Sequence, residues 1–299
     1  MEKKIKKIVI TRKDLVLQNI NSNELSEVTR PHLSQEYDPE NHLIEEIVFN
    51  REGDIEQIQR YVYHDNKLME ELSLDENNEV VERKTYEYSD QGILQKEFIH
   101  YSDGFFDTLT YYYDEKGQVS KKILIDSDEE PESVEIFEYK EKNLISHQIF
   151  DGNENLLFKK TQAFNDNNNP IEIIEEDLET GSYFKKTYEY DNEGHQLENQ
   201  TFNKKDDLIE RAVFFYNEKG NLTEVIEENQ KGKNHTFMEY DEKGNLLYQE
   251  EKNSDDILKG RVERTYNEDN LVVESHVYSH HYGLGPDINY LISYTYEFH

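Results

Sequence analysis

Thr187-Tyr188-Glu189-Tyr190-Asp191-Asn192-Glu193-Gly194 is the stretch on which the reading of this chain turns. Its two tyrosines stand two residues apart with a glutamate between them, the period-two signature of a strand with one half-buried face. The aspartate that follows opens a type I turn, and the glycine supplies the positive φ that starts a return strand with a bulge. Searching outward for the second tyrosine of this pattern yields a series of anchors: Tyr37, Tyr63, Tyr88, Tyr113, Tyr139, Phe164, Tyr190, Tyr216, Tyr240, Tyr266 and Tyr296. Their intervals are 24 to 26 residues, except a last one of 30. A fixed period of this length marks a repeat protein, and the array runs from about Gln35 to His299.

Each unit reads as a hairpin. Tyr61, Tyr86, Tyr111, Phe137, Tyr188, Phe214 and Tyr294 sit two residues before their anchors and line the same strand face. Asp38, Asp114, Asp191, Asn217 and Asp241 follow their anchors, and Gly92, Gly117, Gly194, Gly220 and Gly244 stand four places past theirs. An apolar residue comes six places after the anchor at Leu43, Leu94, Val119, Leu222 and Leu246. At Leu68, Leu144 and Leu271 the spacing is five and the glycine is missing, which predicts a turn one residue shorter in those three units. A second, looser turn closes each unit, as at Asp103-Gly104, Asp151-Gly152, Thr180-Gly181 and Lys231-Gly232. About twelve residues per strand and turn predicts an all-β fold: one long, curved antiparallel meander sheet of about 20 strands. Residues 1–34 form a non-repeating N-terminal segment with a basic start, expected to supply capping strands. Residues 35–299 hold about eleven repeats, and 267–299 serve as an irregular C-terminal cap, which terminal repeats require.

The run quoted first, together with Tyr111-Tyr112-Tyr113-Asp114-Glu115-Lys116-Gly117 and Tyr240-Asp241-Glu242-Lys243-Gly244-Asn245-Leu246, resembles the YxYDxxG signature of the tyrosine–aspartate (YD, or RHS) repeat family. The likeness covers nearly nine-tenths of the chain and implies a continuous sheet of hairpins. In large members that sheet spirals into a shell, sometimes around a toxin. Here the units are longer than the family repeat and too few for such a shell. Neither the self-cleaving core segment nor a toxin domain has a counterpart; Tyr282-Gly283-Leu284-Gly285-Pro286-Asp287 has the wrong residue order.

Composition fits a thin sheet. Only 34% of residues are hydrophobic and 33% are charged, which by itself leans towards disorder. Against that stand 22 Tyr and 14 Phe, whose rings suit a half-exposed aromatic face. Cysteine is absent, which excludes a disulfide framework and agrees with a reducing compartment. The basic start (Lys3, Lys4, Lys6, Lys7, Arg12, Lys13) lacks the roughly 7–15 apolar residues of a secretory core. No stretch reaches the roughly 20 of a membrane helix. The expectation is a soluble, cytoplasmic chain without a membrane partner. Net charge is −33; residues 1–14 carry six cations and two anions, so the remainder holds −33 − 4 = −37. That acidity disfavours direct nucleic-acid binding, since phosphates are met by Lys and Arg. It suits a basic protein partner, and it also keeps strand edges from pairing.

Candidate chemistry is sparse. Carboxylate pairs occur throughout and are best read as solvated strand faces. His276, His280 and His281, with His299, form the one histidine cluster and are the weak metal candidates; strand-end histidines are the plainer reading. The Asp-x-x-Gly turns lack the distal ligands of a calcium loop. No phosphate loop, nucleophile elbow or cysteine nucleophile is present, so neither a catalytic residue nor a cofactor is assigned and an enzyme is not expected. The expected function is a non-enzymatic protein-binding module. Its narrower form is a cytoplasmic immunity protein or antitoxin, covering a toxin or effector with an acidic, tyrosine-rich sheet. The alternatives are an exported scaffold or glycan-binding surface protein, and a nucleic-acid mimic that blocks a DNA-binding protein. A hydrolase has no residue set to support it.

Overall fold

The computed structural model describes residues 3–17, 25–280 and 287–299. Every element in them is a strand: β1 (Ile5–Leu17), β2 (Leu25–Tyr37), β3 (Leu43–Phe49), β4 (Ile55–His64), β5 (Lys67–Leu74), β6 (Val80–Tyr88), β7 (Leu94–His100), β8 (Phe106–Tyr113), β9 (Val119–Ile125), β10 (Pro131–Lys140), β11 (Asn143–Asp151), β12 (Leu156–Phe164), β13 (Pro170–Asp177), β14 (Tyr183–Tyr190), β15 (Gln196–Phe202), β16 (Leu208–Tyr216), β17 (Leu222–Asn229), β18 (Gly232–Tyr240), β19 (Leu246–Asn253), β20 (Leu258–Tyr266), β21 (Val272–Ser279) and β22 (Ile288–Phe298).

The strands fall into two units. The first comprises Met1–Val81, Tyr216–Ile226 and Gly232–His299. In it β18, β19, β20, β21, β22, β1, β2, β3, β4 and β5 follow one another, each antiparallel to the next. The second comprises Glu82–Phe215 and Glu227–Lys231 and runs in the same way from β6 to β16.

All 22 strands belong to one sheet, and β22 pairs with β1. Within the first unit the β22–β1 pairing joins the last strand of the sequence to the first. This corrects the open meander expected from the repeats: β1 and β22 are not free end strands. The reason lies in the basic start. Ile8 and Ile10 stand opposite Tyr296 and Tyr294, and the Arg12 guanidinium lies 3.8 Å from the Tyr290 ring centre. Lys3, Lys7 and Lys13 reach Asp269, Glu36 and Glu27 at 2.8, 2.6 and 3.0 Å. The segment that looked separate by charge is a strand laddered between β2 and β22, and it brings lysines that both neighbours lack.

The sheet is one layer thick. The best-buried apolar residues, Ile58, Leu74, Ala212 and Ile292, remain 3, 4, 6 and 8% exposed, and no large described side chain is fully sequestered. Stability therefore rests on ladders, cross-strand pairs and turns rather than on a core.

Both ends of the hairpins use one turn. After the anchor, the N–H of Asp191 donates to the His195 carbonyl and that of Gly194 to the Asp191 carbonyl, with Gly194 at φ +91°. The Asp191 side chain completes it: its Oδ1 accepts the N–H groups of Glu193 and His195 at 2.8 and 2.9 Å. Asp or Asn does the same at Asp114, Asn165, Asn217, Asp241 and Asn267. The second turn is no looser. Asn50, Asp75, Asp126, Asp151, Asn203 and Asn253 form the same clasp. There the positive φ falls on Asn78, Glu129, Glu154, Asp206 and Asp256, which hides the glycine signature from sequence.

Two of the three short turns are real. Tyr63 pairs with Leu68 and Tyr139 with Leu144, five residues on. The third is corrected: Tyr266 pairs with Val272, and Asn270 at φ +61° takes the glycine position in a turn of the ordinary length. Leu271 is the turn's last residue, its N–H held by Asn267.

The anchor tyrosines bind repeat to repeat. The hydroxyls of Tyr113, Tyr190, Tyr240, Tyr266 and Tyr296 donate to the carbonyls of Leu94, Pro170, Leu222, Leu246 and Val272, each the first strand residue after the preceding unit's turn. Phe164 has no hydroxyl, and Gln162, two residues earlier, donates to the Leu144 carbonyl instead. Tyr190→Phe keeps the ring and leaves the Pro170 carbonyl without this partner. A loss of about 1 kcal/mol is expected in a chemical denaturation curve, while Phe164→Leu, which trades away ring area alone, leaves the Gln162 bond in place. An unchanged midpoint for Tyr190→Phe would show that the hydroxyl is incidental.

Candidate interaction surface

The histidines singled out by sequence lie at the β21–β22 end of the first unit. His276 bonds Asn289 at 2.7 Å and His280 bonds Asp287 at 2.7 Å, beside the Tyr278 hydroxyl on the other Asp287 oxygen. His299 bonds the Tyr37 carbonyl at 3.1 Å. His281 and the rest of the 281–286 stretch, with its glycines and proline, lie outside the described residues.

Among the described residues, three metal-capable side chains converge elsewhere, at Asp191, Glu193 and His195. Its turn already accounts for this arrangement. Asp191 Oδ2 meets His195 Nδ1 at 2.9 Å, as Asp38 Oδ2 meets His42 Nδ1 at 2.8 Å. Asn155 and Asn245 put an amide nitrogen on the same oxygen of Asp151 and Asp241 at 2.9 and 2.8 Å. A nitrogen donor in the fifth turn position closing on the first is a structural clasp, with or without an imidazole.

The clasps set a pH dependence. Hydrogen bonds from Asn155 and Asn245 side chains, then from backbone N–H groups, hold the Asp151 and Asp241 carboxyls below the ordinary value; the Glu79 and Thr180 N–H groups do so for Asp75 and Asp177. A carboxyl depressed on folding adds stability that is present above its unfolded pKa, about 4, and lost as pH falls through the lower folded value. Replacing Asp75, Asp151, Asp177 and Asp241 with Asn keeps the Oδ1 acceptor, as Asn217 and Asn253 do natively. The expected outcome is a melting temperature that falls less between pH 5 and pH 3 than in the parent chain; equal slopes would remove the clasps from the account.

Two clefts lie between consecutive turns. One of about 630 Å³ is bordered by Asn217, Lys219, Met238, Tyr240 and Asp241, and one of about 580 Å³ by Lys140, Asn143, Gln162, Phe164 and Asn165. Their walls are the clasps and anchors already described. Displaced carboxylates elsewhere move the same way: Arg211, bidentate at 2.7 Å, lowers Glu198, and Lys252 with Tyr248 lowers Glu250. A general acid needs the opposite displacement.

Charge occupies both faces of the sheet. Cross-strand partners share a face. On the anchor-tyrosine face Lys160 meets Glu175 at 2.8 Å and His147 meets Glu135 at 2.8 Å. On the opposite face Lys7 meets Glu36, Arg60 meets Glu45 and Arg211 meets Glu198.

One turn of the ordinary length has no clasp from its first residue. In Tyr101-Ser102-Asp103-Gly104-Phe105 the backbone bonds are the usual ones, but a tyrosine occupies the clasp position. Its hydroxyl hooks the carboxylate of buried Asp107 instead. That bond, with burial and the charges of Asp107, Glu132 and Asp103, pushes the Tyr101 phenol up to about 12. Tyr101, Phe105 and Phe106 stand 47, 57 and 45% exposed. Phe98 meets Phe106 edge to face at 5.5 Å, and His100 lies 5.8 Å from the same ring. Sequence reading took Asp103-Gly104 as one loose turn among several; the signal it passed over was a tyrosine where Asp or Asn is the rule.

No family model matches the chain, and no curated protein matches it. Solved structures that it resembles include a porin-like protein from Bacteroides uniformis, 11% identical, with 98% of both chains covered and a TM-score of 0.32. TcdB2–TccC3 without its hypervariable C-terminal region is 10% identical over 91% of this chain and 19% of that one, with a TM-score of 0.35. TcdB2–TccC3–Cdc42 is 10% identical over 97% and 20%, with a TM-score of 0.33. The chain thus spans about one-fifth of the TcdB2–TccC3 chains. Its likeness to the YD-repeat family rests on the motif residues themselves.

Proposed function

We propose that this chain is a non-enzymatic protein-binding module for a basic partner. The observation that carries the reading is its net charge of −33, with 66 Asp and Glu against 33 Lys and Arg, spread over a single-layer sheet. Such a field speeds and orients the approach of a positively charged surface. The paired β1 and β22 support a partner that meets side chains and turn tips, not one that adds a strand at the seam. Charged residues on both faces speak against burial in a lipid bilayer, where a barrel needs an apolar band about 25 Å tall. Downward-displaced carboxylates and clefts built of turn clasps support binding over hydrolysis.

The narrower proposal is a cytoplasmic immunity protein or antitoxin whose partner is a toxin or effector; it is drawn by analogy with the YD-repeat motif. Affinity capture from the native cell, followed by mass spectrometry, tests both levels. The module reading expects a stoichiometric protein of high pI that leaves in high salt. The antitoxin reading further expects that protein to arrest growth when expressed alone and to be silenced by co-expression. Recovery of no stoichiometric protein, or of an acidic one held equally at low and high salt, would overturn the first reading. A harmless partner would overturn only the second.

A further inference from the structure

We propose that the Tyr101–Phe106 turn is where a basic segment of the protein partner docks, seating an arginine or lysine on its exposed rings. This rests on the protein-binding reading and names its contact point.

The repeat itself provides the contrast. At the described turns of this class the first residue ties the loop through its own side chain: Asp or Asn in most, and Ser89 through Oγ at 3.2 Å from the Ile93 nitrogen. Tyr101 lacks that local side-chain bond: its hydroxyl reaches Asp107 on the next strand, and Asp103 Oδ1 accepts the Phe105 N–H at 3.1 Å within the loop. The Tyr101 side chain nonetheless stays about half exposed at the turn. Phe105 follows in the last turn position and Phe106 in the first strand position, both exposed. Their phenyl rings add exposed apolar area, with Phe98 and His100 packed against one side of Phe106.

The surrounding charges select the occupant. The next turn on the same end of the sheet is Asp126-Ser127-Asp128-Glu129-Glu130, followed by Pro131-Glu132. Among the described residues no lysine, arginine or histidine pairs with Asp103, Asp128, Glu129, Glu130 or Glu132. Glu132 lies near enough to act electrostatically on Tyr101. Some carboxylates of this unit do have a cation, as Glu175 has Lys160 and Glu198 has Arg211; those around these rings do not. Rings rimmed by unmatched carboxylates favour a planar or compact cation, which gains from the ring quadrupole and the negative rim together. A second copy of this chain would bring −33 against −33 and is the disfavoured occupant.

The probe is a twelve-residue peptide of alternating arginine and glycine, with a control in which citrulline replaces arginine. Both are titrated into the full chain carrying 4-fluorophenylalanine, and binding is followed by fluorine NMR. Resonances of Phe105 and Phe106 are assigned from single serine variants. The expected result is a shift of those two signals by the arginine peptide alone. Phe105→Ser and Phe105→Ser/Phe106→Ser should weaken binding at least tenfold at low salt, with Phe184→Ser/Leu208→Ser, an exposed apolar pair elsewhere in the unit, within about twofold of the parent. Melting curves of the variants confirm folding, and the single Phe105 variant decides if the double one is unstable. Equal affinity for ring variant and parent overturns the docking site, as does equal binding of the citrulline peptide. Repeating the cell capture with the Phe105→Ser chain separates the two levels. A basic partner recovered equally by parent and variant leaves the function standing and removes this site; none recovered by the parent removes the function.

Discussion

Deleting residues 3–17 is expected to lower the melting temperature by roughly 10 °C or more and to make the protein associate with concentration. Strand β1 is laddered to β2 on one side and to β22 on the other, so its loss breaks two ladders at once. It also removes Ile8 and Ile10 from Tyr296 and Tyr294, and the Arg12 guanidinium from Tyr290. In a one-layer sheet nothing else covers the exposed rows of N–H and C=O, and bare edges of β2 and β22 invite pairing between molecules. The net charge resists that association, so it should strengthen as salt screens it. A synthetic peptide of residues 3–17 added in trans should restore the melting temperature and the monomer size. Calorimetry and light scattering measure both, and a truncated chain that melts and sizes like the parent would contradict the role given to β1.

Gly152→Ala is the point substitution with the largest expected effect. A Cβ placed at Gly152 would lie 1.9 Å from the Pro131 carbonyl oxygen and 3.0 Å from its carbon, both backbone atoms that cannot rotate aside. Overpacking of this kind costs about 3 kcal/mol when a strand has to move, a fall of roughly 5 °C in melting temperature for a chain this long. Gly117→Ala is the comparison. Gly117 has open space around its Cβ position but sits at φ +79°, so only left-handed strain of about 1 kcal/mol is expected. Thermal melts should therefore rank Gly152→Ala well below Gly117→Ala; the reverse order would mean that φ, and not the approach of Pro131, governs these turns.

Gly152 also shows how far the sequence could be read. From sequence it passes for the turn glycine after Asp151, whereas the positive φ belongs to Glu154 and Gly152 is small because a neighbouring strand's backbone comes close. Local chemistry was legible: anchors, Asp and Asn clasps, the positions of Gly117 and Gly194, and the short turns at Leu68 and Leu144 all follow from rules acting within five residues. What failed needed knowledge of a partner. Leu271 looked like a strand residue because it is apolar, yet Tyr266 reaches past it to Val272. The second turn looked loose because Glu129, Asp206 and Asp256 carry a φ usually left to glycine. The β1–β22 pairing was hidden most deeply, since the two strands lie at opposite ends of the sequence and nothing local in Lys6-Lys7-Ile8 names Tyr296 as its neighbour. The aromatic turn at Tyr101 was legible in principle, as the clasp position that breaks the rule, but only once both turns of the hairpin are known to obey one rule.

The β1–β22 pairing is tested most directly by cross-linking it. The chain has no cysteine, so two can be introduced without competition. Val9 faces Thr295 and Ile8 faces Tyr296 in the β1–β22 register. Adjacent antiparallel pairs alternate between hydrogen-bonded and non-hydrogen-bonded, and the latter bring side chains closest. At least one of Val9→Cys/Thr295→Cys and Ile8→Cys/Tyr296→Cys should therefore oxidise to an intramolecular disulfide. Non-reducing mass spectrometry of dilute, folded protein should find that bond in most molecules and lose it in denaturant. Free thiols in both variants, or disulfides only between molecules, would contradict the β1–β22 pairing.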